Sequence, residues 1–288
     1  MSDKIIVRSA MKDKRNFTEL PELRKGIIDL APTTPLAANY TVNSVANALH
    51  PVKQALKVSQ CEELTKGTMI YSLVPDPTEG TAVLAYFRAG QKLDVCYGEG
   101  EQENKAAFTI CSSPARAING EYVIIVDKGA ESDAAKYITS EWQVGTQVTA
   151  SAPYGQFYYQ AIRDSSYIVA VCDSTGYEPF LSMAEAINDG TLNVDLTLIF
   201  AARKHSDVVM ADRFVELSQN KHFKFIMVLS DERIFKCERG FITKSLIEKY
   251  APANKYSLFI NGTQELLNTI SPHIDELKFE TNRIRYNK

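Results

Sequence analysis

The sequence changes texture near Arg163, and that change limits the possible folds more than any other feature. Upstream, from Val52, seven short runs carry β-branched or aromatic residues: Gln54 to Cys61, Thr68 to Leu73, Ala82 to Tyr86, Lys92 to Tyr97, Ala107 to Cys111, Tyr122 to Val126 and Gln147 to Ser151. The segments between them hold turn formers such as Pro75-Asp76-Pro77, Gly90, Asn119-Gly120 and Gly145. So many short strands within about 100 residues predict a small antiparallel six-stranded barrel. Downstream, strands and helices alternate. Val194 to Ala201, Phe223 to Leu229 and Tyr256 to Ile260 read as strands, while His205 to Ser218, Phe241 to Tyr250 and Gln264 to Ile270 read as helices. That alternation predicts a Rossmann-like parallel sheet with flanking helices.

The second half is organised around Tyr167 to Met183, YIVAVCDSTGYEPFLSM. Ile168 to Val171 form a continuous apolar run, as a strand buried on both faces of a parallel sheet should. Asp173, Ser174, Thr175 and Gly176 make a turn, and Pro179 opens a helix. A junction of this kind aims free backbone N–H groups off the sheet edge, where α/β proteins hold phosphates. Most strand–turn–helix junctions bind nothing, so the turn needs support from the rest of the chain.

Composition narrows the function. At 288 residues and 45% hydrophobic content the chain can bury a sizeable core. Its 32 basic and 35 acidic residues are interspersed, giving a net charge of −3, which is neither a nucleic-acid footprint nor a polybasic membrane anchor. No apolar run suits a membrane span, and the N-terminus lacks the apolar core of a secretory signal, so a soluble, cytoplasmic protein is expected. The five cysteines are scattered without a C-x-x-C pair, and the four histidines are equally dispersed, which argues against disulfide frameworks and metal sites. No G-x-S-x-G elbow accompanies Ser112-Ser113. Residues 1–52 read as a helical extension with helix-like stretches at Leu20 to Leu30 and Tyr40 to Leu49. Residues 53–162 read as the barrel, and 163–288 as the α/β domain.

Five blocks then carry a resemblance to the ferredoxin–NADP reductase superfamily, in the family's order. FRAGQKLDV (Phe87 to Val95) resembles F-x-A-G-Q. AFTICSSP (Ala107 to Pro114) resembles the flavin strand R-x-Y-S-I-x-S-S-P. Val144 to Tyr159 resembles G-D-x-V-x-x-x-G-P-x-G-x-F. VCDSTGYEPFLSM (Val171 to Met183) resembles A-G-G-T-G-I-A-P-F-x-S-M, and LFINGTQELL (Leu258 to Leu267) resembles the late strand ending C-G-P. The resemblance implies a flavin, FAD or FMN, under the barrel and a pyridine nucleotide over the α/β domain. It places the flavin ring along Phe108 and Thr109, continues cofactor contacts through Ile110, Cys111, Val126, Lys128 and Ser132, and assigns the nucleotide side to Ser174, Thr175, Gly176, Pro179, Asn261 and Gly262.

Departures from the pattern bear on the chemistry. The family's arginine before the flavin aromatic is Ala106, with Lys105 beside it. The phosphate loop G-x-x-S matches Gly129-Ala130-Glu131-Ser132, or, aligned on the strand-like Lys136-Tyr137-Ile138, sets Ala135 at the serine and an acid where phosphates belong. Asp173 and Ser174 replace two glycines, and Asn261 replaces the late cysteine. These changes put NAD(P)H use in doubt more than flavin binding. The chain ends at Lys288 without a C-x4-C-x2-C iron–sulfur segment, so electrons would pass from flavin directly to a separate partner protein, unless the sequence continues. Two readings stand: a flavin-dependent oxidoreductase moving electrons between NAD(P)H or a reduced carrier and a partner protein, or a non-catalytic relative serving as a binding or regulatory subunit.

Overall fold

A computed structural model describes residues 21–30 except 23 and 27, residues 45–46, and residues 51–287 except 66, 99–103, 130–131, 253–254 and 278–282. The chain divides into two compact units, Met1–Ser44 and Val45–Lys288. In the first, the described residues between 21 and 30 are helical, with Leu30 N donating to Gly26 O at 3.0 Å. Most of the expected helix at Tyr40 to Leu49 lies outside the described residues. Both β-sheets belong to the second unit.

Six strands, β1 (Lys53–Thr65), β2 (Thr68–Pro75), β3 (Lys92–Tyr97), β4 (Asn104–Thr109), β5 (Tyr122–Asp127) and β6 (Gln147–Ser151), form an antiparallel sheet in the order β4-β3-β6-β1-β2-β5. Alternation places Leu56, Val58, Leu93 and Val95 inside, where they pack with Tyr71, Tyr122 and Ile124. The sheet curls so that its two ends meet just past β4: Cys111 N donates to Val123 O at 2.7 Å, and Val123 N donates to Ser112 Oγ at 3.1 Å.

The expected strand at Ala82 to Tyr86 is not one. Its backbone is held by side chains instead of a ladder, because the fully buried Gln54 accepts from Ala85 N at 2.8 Å and the Tyr122 hydroxyl donates to Ala85 O. Lys136-Tyr137-Ile138, read as strand-like, lies in a helix. That helix is α2 (Asp133–Glu141), preceded by α1 (Pro114–Ile118). Ser132 starts α2 by accepting from Ala135 N, and Ala134, Ala135 and Ile138 bury its inner face.

The second sheet is wholly parallel. Its strands are β7 (Tyr167–Cys172), β8 (Asp195–Ala202), β9 (Phe223–Leu229), β10 (Glu238–Arg239), β11 (Ser257–Asn261) and β12 (Ile284–Tyr286), in the order β10-β9-β8-β7-β11-β12. Helices α3 (Glu178–Asn188), α4 (Ala211–Leu217), α5 (Lys244–Tyr250) and α6 (Gln264–Glu276) connect them. The expected single helix from His205 to Ser218 is split. A short 3-10 turn at His205–Asp207 is separated from α4 by Met210, whose φ of 61° is left-handed and cannot continue a helix. From β7 the chain steps outward through β8 and β9, and then returns to place β11 on the other side of β7. The strand order therefore reverses between β7 and β11, the position at which open α/β sheets bind ligands.

Barrel and α/β layers share a core. Phe157 from the loop after β6 packs 5.7 Å from Phe180 of α3 and 5.4 Å from Phe259 of β11, ring centre to ring centre. Ser182 Oγ donates to Ser112 O at 2.7 Å across the junction. Gly90 has no freedom to be anything larger, since a Cβ there would lie 2.1 Å from Phe157 O. A buried ion pair between Arg285 and Asp164, whose side chains are 8% and 0% exposed, fixes edge strand β12 to the segment entering β7.

Candidate functional site

A cleft of about 520 Å³ opens where the ends of β4 and β5 face the β7–α3 turn. Phe108 and Thr109, half-buried, form one wall, paired across the ladder with Leu93 and Lys92. Val126, Asp127 and Ser132 follow from β5 and the start of α2. Ser174, Thr175 and Glu178 form the opposite side, with Asn261 and Asn287 at the rim.

Of the residues singled out from sequence, Phe108, Thr109, Val126, Ser132, Ser174, Thr175 and Asn261 meet in this cleft. The others lie elsewhere. Ile110 is fully buried in the barrel core, and Cys111 in the core shared by the two layers. Lys128 is exposed beyond β5, where its backbone N donates to Gly67 O at 2.6 Å. Pro179 is buried at the start of α3. Ala130 and Glu131 of the candidate phosphate loop lie outside the described residues.

Sequence reasoning missed Lys92, Asp127, Glu178 and Asn287. Lys92 and Glu178 lie within matched blocks and Asp127 lies between two of them; strand pairing would have flagged Lys92 opposite Thr109. Nothing in the sequence marked Asn287. Lys105 is exposed at the start of β4 and does not line the cleft; Lys92 is the basic side chain that does, among the described residues.

The cleft is electrostatically mixed. Burial, reinforced by the nearby Asp173 and Asp127 carboxylates, pushes the Glu178 carboxyl up to about 7. Burial also holds the Cys111 and Cys172 thiols well above the usual range, so neither is an activated nucleophile or an exposed redox thiol. Among the described residues no group of His, Cys, Asp and Glu could hold a metal ion, and no helix is long and apolar enough to cross a membrane.

At the strand reversal itself the arrangement differs. Cys172 pairs with Asn261 at the ends of β7 and β11, and Asp173 follows directly. One Asp173 oxygen accepts from Thr175 N (3.0 Å) and Thr175 Oγ1 (2.8 Å), and the other from Thr263 N (2.8 Å) and Thr263 Oγ1 (2.6 Å). Asn261 Nδ2 donates to Gly176 O at 2.9 Å. Beyond lies a second opening of about 330 Å³, lined by Asp173, Asp207, Arg203 and Glu265 among others.

These features have counterparts in known proteins. Residues 171–271 match the family model of the oxidoreductase NAD-binding domain. The chain is 18% identical to the flavohem-like FAD/NAD-binding domain of nitric oxide dioxygenase from Vibrio cholerae, covering 81% of this chain and 97% of that one at a TM-score of 0.68. It is 14% identical to a ferredoxin NADP+ reductase from Neisseria gonorrhoeae solved with bound FAD and NADP, covering 83% and 99% at a TM-score of 0.68. The chain has the ferredoxin–NADP reductase fold. Among curated proteins it is 20% identical, over 218 residues, to the electron transfer component of toluate 1,2-dioxygenase from Pseudomonas putida. That match covers 75% of this chain and 62% of the relative, less than two thirds of its length.

Within this fold, the cleft and the crevice differ in what their polar groups leave open. The cleft's volume falls within the roughly 300–1,000 Å³ of small-molecule sites. Ala106, Ala107 and Ala135 leave it open beside Phe108 and Thr109, so an aromatic ring system fits. The crevice has already given Thr175 N–H and Thr263 N–H to Asp173, so a dinucleotide diphosphate does not fit there as it stands.

Proposed function

We propose that this protein is a flavin-dependent electron-transfer oxidoreductase that passes electrons to a partner protein. The observation that carries the reading is the open cleft of about 520 Å³ at the end of β4, lined by both Phe108 and Thr109. Phe108 would stack on the ring, and Thr109 would hydrogen-bond to its edge. Val126 and Ser132 would border it on the α2 side, and Lys92 would offset negative charge near the ring or its phosphates. A bound flavin, FAD or FMN, supplies the electron storage, and this chain's residues bind, orient and shield it.

Glu178 is the titratable group on the opposite side of the cleft. With its carboxyl held near 7, it exchanges a proton close to neutral pH beside the proposed ring position. The toluate dioxygenase component is named for electron transfer, which supports the reductase reading and a protein acceptor. The second reading, a non-catalytic binding subunit, draws on Ala106 in place of the family's arginine and on the acids Asp127 and Glu178 in the cleft.

Equilibrium dialysis of the full chain against FAD and FMN separates the two. Saturable binding of either flavin, weakened by Phe108→Ala, is the expected result. Failure to retain both flavins favours the subunit.

A further inference from the structure

The geometry points to Asp173 as a built-in anion that closes the strand-reversal crevice to the diphosphate of NADH and NADPH. This deepens the reductase reading by saying which electron donor the protein refuses. A diphosphate seated at such a reversal is held by backbone N–H groups at the following helix N-terminus, approached closely over small residues. Here those N–H groups belong to Thr175 before α3 and Thr263 before α6, and both donate to the two oxygens of one carboxylate. The hydroxyls of the same two threonines complete the set, so four donors meet the roughly four acceptor sites of an ionised carboxylate.

The two glycines that the family pattern carries to the nucleotide serve the closed turn instead. A Cβ on Gly262 would lie 2.8 Å from Asp173 Oδ1, so the space that glycine leaves is filled by the carboxylate. A Cβ on Gly176 would lie 2.3 Å from Asn261 O, and the Asn261 side chain is latched to Gly176 O. The flanking opening adds Asp207 and Glu265, while Arg203, which faces it, is paired with Asp231 at 2.9 Å. An arriving diphosphate would have to displace Asp173 from its four donors and leave that carboxylate facing it, with two more acids nearby.

The test is calorimetric titration of the full chain with NADH and NADPH, with and without added FAD. The expected result is no saturable binding up to about millimolar nucleotide. The Asp173→Gly/Ser174→Gly double variant, which restores the paired small residues, is expected to bind at least roughly tenfold tighter, and the Asp173→Ala single variant to move the same way. Thermal unfolding checks that each variant is folded. Micromolar binding by the wild-type chain overturns the inference, and so does a folded variant set in which no affinity is gained. If neither variant folds, the wild-type titration decides by itself, absence of binding supporting the inference and micromolar binding ending it. Because the chain is also titrated without flavin, a protein that refuses FAD would sink the flavin reading and leave this test intact.

Discussion

The cleft beside Phe108 and the crevice beside Asp173 lie on either side of the same β7–α3 turn, yet they differ in what satisfies their polar groups. In the crevice a carboxylate supplied by the chain meets four donors at 2.6–3.0 Å. In the cleft Phe108 and Thr109 line an opening of about 520 Å³, with an acid whose ionisation burial disfavours. The comparison teaches that two openings flanking one turn can differ in whether the chain's own groups already satisfy their donors. A single residue, Asp173, is enough to make that difference, because the donors at a strand reversal are few and close together.

The largest expected effect tests what holds the cleft's rim in place. Arg285 and Asp164 are buried together, and β12 ends beside Asn287 at the rim. Arg285→Met would leave the buried Asp164 facing only the partly exposed Arg163, 4.0 Å away, and is expected to cost about 3 kcal/mol. A chemical-denaturation midpoint that does not move would show that the pair contributes nothing to the rim.

Next in size is a pH effect confined to the cleft. The Glu178 carboxyl is raised from an ordinary 4.5 to about 7 in the folded chain, so the folded state binds more protons than the unfolded state between those values. Stability therefore falls as pH rises through that window. The penalty is absent below about 4.5 and fully present above about 7. Glu178→Gln, which mimics the protonated form, should be more stable than wild type by roughly 1–3 kcal/mol at pH 8 and equal to it near pH 4. Parallel stability–pH curves for the two proteins would contradict the assignment.

A smaller effect sharpens the flavin side. Phe108→Ala removes a lining aromatic and should weaken flavin binding by about 1 kcal/mol, roughly fivefold, while leaving unchanged the nucleotide affinity gained in the Asp173→Gly/Ser174→Gly background. If both fall together, the two openings are not independent. Smallest is Ser182→Ala, which removes the 2.7 Å bond to Ser112 O between the layers and should cost about 0.5 kcal/mol in thermal unfolding without altering flavin affinity.

Much of this architecture was legible in the sequence. The turn-punctuated strands and the later strand–helix alternation produce the two sheets, because hydrophobic periodicity and turn chemistry act locally. Ala82 to Tyr86 misled because its partners are the side chains of Gln54 and Tyr122, distant in sequence, and β-propensity cannot see them. Lys136-Tyr137-Ile138 misled because a three-residue run cannot distinguish strand from helix; the Ser132 cap and the spacing of Ala135 and Ile138 decide it.

At the site, Phe108 and Thr109 could be placed because they lie in a matched block. The unfavourable position of Asp173 was also visible. Its engagement with Thr263, 90 residues away, was not, since that depends on β7 and β11 lying side by side. Lys92 and Asn287 reach the cleft only through strand pairing and the return of the chain at β12.

The most direct measurement is the visible absorption spectrum of the purified full chain, taken after incubation with FAD and removal of the unbound cofactor. A retained flavin band, lost or weakened in the Phe108→Ala variant, is the predicted result. A colourless wild-type protein that ignores added flavin would contradict it.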